Sequence, residues 1–435
     1  VTLLIISPDY ASHLLPLATL GTAWRDAGER VVVATGPATA SIVESFGFER
    51  VPLQLGKGSN PGVIRAEDQP KGEDDALRGF FDATRRGMIE TLTFQAEARL
   101  SDLMWEPVRA ARAVQVIVAE VQPDAIIVDH LAFSARLGLI AGGIAHADVV
   151  LGHPSALPVG EELYGFPPAW PAAFEPDEGE LADLLALCAR VSDSFTTEWN
   201  AALAELDPTA APSPSAFSEH GDTLLLNYPE ELAVPARSAL LPNPVFLGSA
   251  VREEPVDAEV AAWLEAHPEP FVYVSFGSFL SVRDDVLARV AEALAGLGVT
   301  AAIALGSGDR EALGAIPEGW LVREFLPQVT LLDRAAVAVT HGGNNSVTEA
   351  MTAGVPLLVL PFSTDQFAGA AAIEDTAFGI SLAPNTASVS DLRDAIAAVL
   401  DLPEPGRSRL RELSASLRAQ PGRDRAYAAL GSKTS

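Results

Sequence analysis

Val337-Ala338-Val339-Thr340 is a β-branched apolar run that stops abruptly at His341-Gly342-Gly343-Asn344-Asn345-Ser346. Such a run reads as a buried parallel strand. The residues from Ser346 to Ala353 read as a helix, and Pro356–Pro361 reads as a second strand. A parallel strand pair joined by a helix confines the chain to an α/β architecture. The break between strand and helix also has a chemistry. The first N–H groups of a helix have no internal partner, and its dipole favours negative charge there. Gly342 and Gly343 allow the backbone to approach an anion closely. The unit ends in Asp365-Gln366, a carboxylate and a carboxamide suited to hydroxyl groups. Diphosphate at one end and polyol at the other suggest a nucleotide sugar as ligand.

The same alternation opens the chain. Leu3–Ile6 reads as a strand, 7–12 as a loop that leads to His13, Leu14–Ala27 as a helix stopped by Gly28, and Val31–Thr35 as a second strand. A polar loop is expected over Lys57–Asp75, long helices over Leu77–Gly87 and Glu90–Glu120, a strand over Ala125–Asp129 and a helix over His130–Gly142. Prolines and acids around Pro242–Pro255 interrupt the pattern, and βα alternation restarts at Phe271. Pro403-Glu404-Pro405-Gly406 reads as a second break, before closing helices over Arg407–Arg418 and Asp424–Leu430. The predicted fold is α/β, with two facing Rossmann-like doubly wound domains and a cleft between them. The expected boundaries are 1–241, a linker over 242–258, a second domain over 259–403, and helices over 404–435.

A formal net charge of −29 argues against nucleic acid, whose binding relies on Lys and Arg, and against anionic membrane surfaces. Cys188 is the one cysteine, which excludes an internal disulfide framework, and its apolar neighbours place it in a core. Val1–Ile6 has no basic n-region, so a strand is expected there rather than a signal peptide. Leu131–Ile144 is too short to span a bilayer. These features point to the cytoplasm. No His, Asp or Glu cluster has metal spacing, so no metal and no resident cofactor are expected.

Phe325-Leu326-Pro327-Gln328 through Gln366 resembles the donor-binding signature of inverting, nucleotide-sugar glycosyltransferases of the GT-B type, the family holding plant and bacterial small-molecule enzymes. The register includes His341, Gly343, Asn345, Ser346, Glu349, Gly354, Pro356, Pro361, Asp365 and Gln366. Val272–Ser278 is similar to that family's first C-terminal strand and phosphate loop, and Ser12–Pro16 to its N-terminal catalytic element. Departures are Phe325 where the signature opens with tryptophan, Asn344 where plant members carry tryptophan, a shorter segment between Gln328 and His341, and Ser12 where a glycine is usual.

On position alone, His13 is either a general base at the carboxyl end of the first strand or a cap for its helix. Asp129 is either its carboxylate partner or an N-cap. The resemblance implies the catalytic roles, with Asp9 and His130 as weaker candidates. It also implies that Ser278, His341, Gly343, Asn345 and Ser346 hold the diphosphate. Glu349 would take the ribose hydroxyls, which favours UDP over TDP. Phe325 and the Leu326 backbone would hold the base with Gln328 nearby, and Asp365 and Gln366 the sugar. The acceptor expected is a hydrophobic small molecule seated near Leu77–Met88 and the aromatic 154–174 stretch. The closing helices would pack back on the N-terminal domain. Rival readings are a TDP-deoxysugar transferase, a nucleotide-sugar epimerase, and a non-catalytic helper of the same fold. A dinucleotide dehydrogenase is disfavoured because no Gly-x-Gly-x-x-Gly follows the first strand.

Overall fold

A computed structural model of the chain describes residues 1–62, 73–100, 103–280 and 282–431. Two parallel sheets face each other. The N-terminal sheet is built from β1 (Thr2–Ile6), β2 (Arg30–Thr35), β3 (Glu49–Pro52), β4 (Ala125–Asp129), β5 (Ala147–Val150), β6 (Thr223–Leu226) and β7 (Pro244–Phe246). Its order is β3-β2-β1-β4-β5-β6-β7. The C-terminal sheet is built from β8 (Phe271–Ser275), β9 (Thr300–Ala304), β10 (Leu321–Arg323), β11 (Val337–Thr340), β12 (Leu357–Val359) and β13 (Gly379–Ser381), in the order β10-β9-β8-β11-β12-β13. Leu3, Leu4, Ile5 and Ile6 of β1 are fully buried, as are Val337 and Val339 of β11. Helices cover both faces of each sheet, which is why these strands are apolar throughout instead of alternating.

In each sheet the strand order reverses once. In the first, β1 and β4 lie side by side with Ile6 opposite Val128. In the second, β8 and β11 lie side by side with Ser275 opposite Thr340. Loops leaving the carboxyl ends of such a pair diverge to opposite faces and leave a crevice, where doubly wound folds bind ligands.

Several expected boundaries move. The first helix spans Ala11–Asp26, so His13 sits in its first turn and not in a loop before it. The helix expected over Glu90–Glu120 is two, Met88–Arg99 and Pro107–Val121. Glu106 takes a left-handed conformation (φ 42°), and Pro107 has no N–H to continue a helix. The helix expected over His130–Gly142 is shorter, Phe133–Ala141, because His130 N–H still bonds Val149 O in the sheet. The linker expected from 242 is also shorter. Pro244–Phe246 adds to β6 as an edge strand, where a leading proline is tolerated. Pro403-Glu404-Pro405-Gly406 does not break the chain but starts the helix Glu404–Ala419, where prolines cost no internal hydrogen bond. The loop expected over Lys57–Asp75 lies largely outside the described residues, and a helix has begun by Glu73.

The two closing helices diverge. Glu404–Ala419 stays with the C-terminal half, its Ser414 Oγ donating to Thr352 O at 2.7 Å. Gly422–Gly431 crosses to the first helix. There Tyr427 meets Trp24 edge-on at 5.0 Å, and Arg423 Nη1 donates to Asp26 at 2.9 Å.

Candidate active site

The carboxyl ends of β1, β4, β8 and β11 converge on one cleft of about 1040 Å³. On the N-terminal wall, His13 Nδ1 lies 2.7 Å from Asp129 Oδ2. Asp129 is the last residue of β4 and is 1% exposed, while the His13 side chain is 27% exposed. The other carboxylate oxygen of Asp129 accepts from Leu131 N at 2.8 Å. That bond fixes the carboxylate, and the carboxylate in turn makes Nδ1 of His13 the protonated nitrogen. Nε2 is left as the basic atom. Burial opposes charge on His13, yet the charge and hydrogen bond of Asp129 prevail and hold its pKa above the ordinary 6.5.

The weaker candidates have other work. The Asp9 carboxylate caps the turn before the helix Ala40–Ser45 through Ala38 N, Thr39 N and Thr39 Oγ1. Asp124 accepts from Thr2 N at the far end of the sheet. His130 is 1% exposed, and burial first, then nearby Arg136, push its pKa down to about 3.

On the opposite wall, β11 runs into His341 and the helix Asn344–Ala353. Gly342 has φ 84°, and no side chain caps the helix, so its first N–H groups open on the cleft. The His341 ring is lodged between two backbone segments. A Cβ on Gly277 (φ 69°) would fall 2.9 Å from His341 Cε1, and one on Gly343 would overlap the ring. Burial lowers the His341 pKa to about 4, with a hydrogen bond to the Ser275 backbone opposing it. His341 is therefore a neutral imidazole at the cleft wall whose one N–H is directed to the Ser275 backbone. Ser278 falls in the short helix Gly277–Leu280, and its side chain lies outside the described residues.

Asn344 and Asn345 do more than start a helix. Asn344 Nδ2 donates to Leu151 O (2.7 Å) and Asn227 O (2.8 Å), and Asn345 Nδ2 donates to Ser12 O (3.1 Å). Both amides thus reach the opposite domain. Asp365 does the same, its Oδ2 accepting from His153 N at 2.6 Å. Gln366 lines the cleft as well, and its carboxamide is tied locally: Oε1 accepts from Phe362 N and Ser363 N, and Nε2 donates to Ser363 Oγ.

Glu349 is 5% exposed, and both its oxygens are engaged: Oε1 by Arg252 Nη1 at 2.8 Å and Oε2 by Gln328 Nε2 at 2.5 Å. Ser346 Oγ stands 3.4 Å from the same Gln328 nitrogen. Arg252 was missed from sequence because it lay within the expected linker, beside Glu253 and Glu254. A lone cation in an acidic run was the available signal. Phe325 is 56% exposed at the cleft mouth, and Leu326 packs on the core behind it.

The stretches named for an acceptor reach the cleft in part. Leu77, Phe80, Tyr164 and Phe166 line the cleft. Trp170 and Phe174 turn away from it and pack on Phe367, at 5.5 and 5.3 Å between ring centres. Cys188 is buried, its thiol pushed up to about 11 first by burial, as suits a core residue. Among the described residues no His, Cys, Asp and Glu side chains gather in threes to hold a metal, and no helix is long and apolar enough to cross a membrane.

Residues 184–421, more than half of the chain, match the family described as UDP-glucoronosyl and UDP-glucosyl transferase. The chain is 35% identical over 120 residues to the NDP-glycosyltransferase YjiC of Bacillus subtilis (strain 168), covering 28% of this chain and 30% of that one. The chain thus spans about a third of that relative's length. Among solved structures, the calicheamicin glycosyltransferase CalG4 superposes with a TM-score of 0.68 at 19% identity, over 100% of this chain and 99% of the other. The spinosyn rhamnosyltransferase SpnG complexed with thymidine diphosphate superposes at 0.65 with 17% identity, over 99% and 100%. These superpositions share the two-domain fold described above.

Proposed function

The chain belongs to the UDP-glucoronosyl and UDP-glucosyl transferase family, and we propose that it moves a hexose from a nucleotide sugar to a hydroxyl of a hydrophobic small molecule, with inversion. The observation that carries this reading is the 2.7 Å His13–Asp129 contact at one switch point, across a shared cleft from the uncapped helix start at the other.

His13 Nε2 takes the proton of the acceptor hydroxyl as its oxygen bonds to the anomeric carbon. The bond from that carbon to the diphosphate oxygen breaks, and its electron pair leaves with the nucleoside diphosphate. Asp129 stabilises the imidazolium that forms. Charge develops on the leaving diphosphate beside the first N–H groups of Asn344–Ala353 and the His341 ring, the place where fixed donors lower a barrier. Attack opposite the leaving group turns an α-linked donor into a β-glycoside. Asp365 takes sugar hydroxyls, and Phe325 stacks on the base. Departure in this scheme is metal-independent, and a cytoplasmic location is part of the same reading.

UDP-glucose is the favoured donor, from the position of Glu349 on its helix. A TDP-deoxysugar is the second reading, and one observation favours it. Both Glu349 oxygens already hold hydrogen bonds from Arg252 and Gln328, which leaves the carboxylate less free for a second ribose hydroxyl.

The test is a donor and acceptor screen by mass spectrometry, with UDP-glucose and TDP-sugars against a phenolic panel, using wild type and His13→Ala. Acceptor-dependent glycosides are expected from the wild type. Sugar interconversion without acceptor would replace transfer by epimerisation, and equal turnover by His13→Ala would remove His13 as the base.

A further inference from the structure

The acceptor half of the cleft is aromatic, yet among the described residues two cations line it, Lys57 and Arg99, and the transfer chemistry uses neither. Arg99 ends the helix Met88–Arg99 and lines the cavity. Its guanidinium carbon lies 5.0 Å from the centre of the Tyr164 ring. Phe217 stacks on that ring at 4.1 Å and 9°. Tyr164 thus packs against both Phe217 and Arg99. The loop is shaped around the cation as well. Gly165 has φ 87°, and a Cβ there would fall 2.5 Å from Arg99 Nη1.

Nη1 of Arg99 is buried and has no hydrogen-bond partner among the described residues. A buried guanidinium N–H without a partner is costly. Gln95, one turn earlier on the same helix, also lines the cavity and carries a buried, unpartnered carboxamide oxygen. At the donor end the arrangement differs, since Arg252 is closed off by Glu349 and Glu254. The Tyr164 phenol is held above its usual range first by burial, with Arg99 opposing and Asp365 and Asp129 adding. Tyr164 therefore lies within electrostatic reach of the catalytic carboxylate while carrying Arg99 on its face.

We propose that Arg99, set on Tyr164, anchors an anionic oxygen of an aromatic acceptor, a ring carboxylate or an acidic phenol, while the hydroxyl to be glycosylated reaches His13. This rests on the transferase reading and narrows its acceptor class. An aromatic acid matches the site on both counts. Its ring meets the apolar wall, and its charge meets the guanidinium of a residue that lines the cavity. A neutral acceptor satisfies only the first.

The test uses the full chain with the donor found in the screen, and a matched pair of acceptors, a hydroxynaphthoate and its methyl ester. The readout is the acid-over-ester ratio of kcat/KM. A preference of about tenfold or more for the acid is expected in wild type, the size of one charge-assisted hydrogen bond. It should collapse toward parity in Arg99→Gln and return in part in Arg99→Lys. A wild-type preference for the ester, or a loss in Arg99→Gln that is equal for both probes, overturns the anchor and leaves Arg99 a support of the Tyr164 loop. The wild-type ratio decides even where the variant fails to fold. If wild type glycosylates neither probe and no panel acceptor, the transferase reading falls. Binding of acid and ester followed by tryptophan fluorescence then still tests the anchor, and equal affinities sink it.

Discussion

Asn345 Nδ2 donates to the carbonyl of Ser12 at 3.1 Å, and that carbonyl is the one Pro16 leaves without an intrahelical donor. Residue 16 is the position whose N–H would close the first turn of the helix Ala11–Asp26 onto Ser12 O, and proline has none. The orphan carbonyl is taken instead by the donor-side turn of the other domain, one residue from the proposed base. Asn345→Ala should therefore lower kcat/KM by roughly two- to tenfold, the range of one neutral hydrogen bond. Pro16→Ala, which supplies the missing N–H, should lower it as well. The two losses should overlap in the double variant, because both act on one contact. Steady-state kinetics on the three variants decides this, and fully additive losses would separate Pro16 from the interdomain bond.

The raised pKa of His13 sets the acid side of the pH profile. A base must be unprotonated, so kcat/KM should fall as pH drops through a value above 6.5. In Asp129→Asn the ring stays buried while the charge that opposes the effect of burial is gone, so the limb should move to lower pH even as turnover falls. His13→Ala should cost about 10²–10⁴-fold, the usual yield of general-base catalysis. The linkage has the same origin. Protonated His13 with Asp129 contributes stability that is fully present below the unfolded pKa and lost as pH rises through the folded one. A limb that stays in place in Asp129→Asn would sever the two residues functionally.

Much of this fold was readable because buried parallel strands are written in apolar runs, as in Leu3–Ile6 and Val337–Thr340, and their helices end at glycines such as Gly28 and Gly354. The unread parts share a cause: they depend on partners distant in sequence. Pro244–Phe246 looks like linker until β6 offers it an edge. Nothing near Glu349 shows that Arg252 will neutralise it. Asn344 stood out only as a departure from tryptophan, whereas its role is to bond carbonyls of Leu151 and Asn227 in the opposite domain. Gln366 shows the same limit at short range, since its motif does not announce the three local hydrogen bonds that tie its amide to residues 362 and 363.

The glycines around His341 give a steric prediction. Gly277 combines φ 69° with a Cβ direction that ends 2.9 Å from the imidazole. Gly277→Ala should cost about 1–2 kcal/mol in backbone strain alone and tilt His341 out of its slot. Donor KM should rise roughly tenfold, the cost of about one hydrogen bond to a charged group, while acceptor KM moves less. Because His341 is neutral well below neutral pH, the defect should not change between mildly acid and mildly basic buffer. A donor KM that stays at the wild-type value would show that the ring does not contact the donor.

Glu349 and Arg252 form the buried ion pair most exposed to a clean test. Burial raises the Glu349 pKa above 4.5, and Arg252 and Gln328 work against that rise. A carboxyl whose folded pKa is raised favours folding below its unfolded pKa and disfavours it as pH climbs through the folded value. Arg252→Met removes the main restraint, so the folded pKa climbs further and an uncompensated charge is left inside at neutral pH. The expected loss is about 3–5 kcal/mol near neutral pH, smaller in acid where Glu349 is protonated. Adding Glu349→Gln should recover most of it, since the amide can stay with Gln328 and needs no counter-charge. Thermal unfolding of the single and double variants at two pH values measures both effects. A loss that is equal at the two pH values, or a double variant no more stable than Arg252→Met, would assign the damage to lost packing by the Arg252 stem instead of to charge. The same Glu349→Gln protein bears on the donor. If this carboxylate takes ribose hydroxyls despite its two partners, kcat/KM should fall more for a UDP-sugar than for a TDP-sugar, which has one hydroxyl fewer to offer.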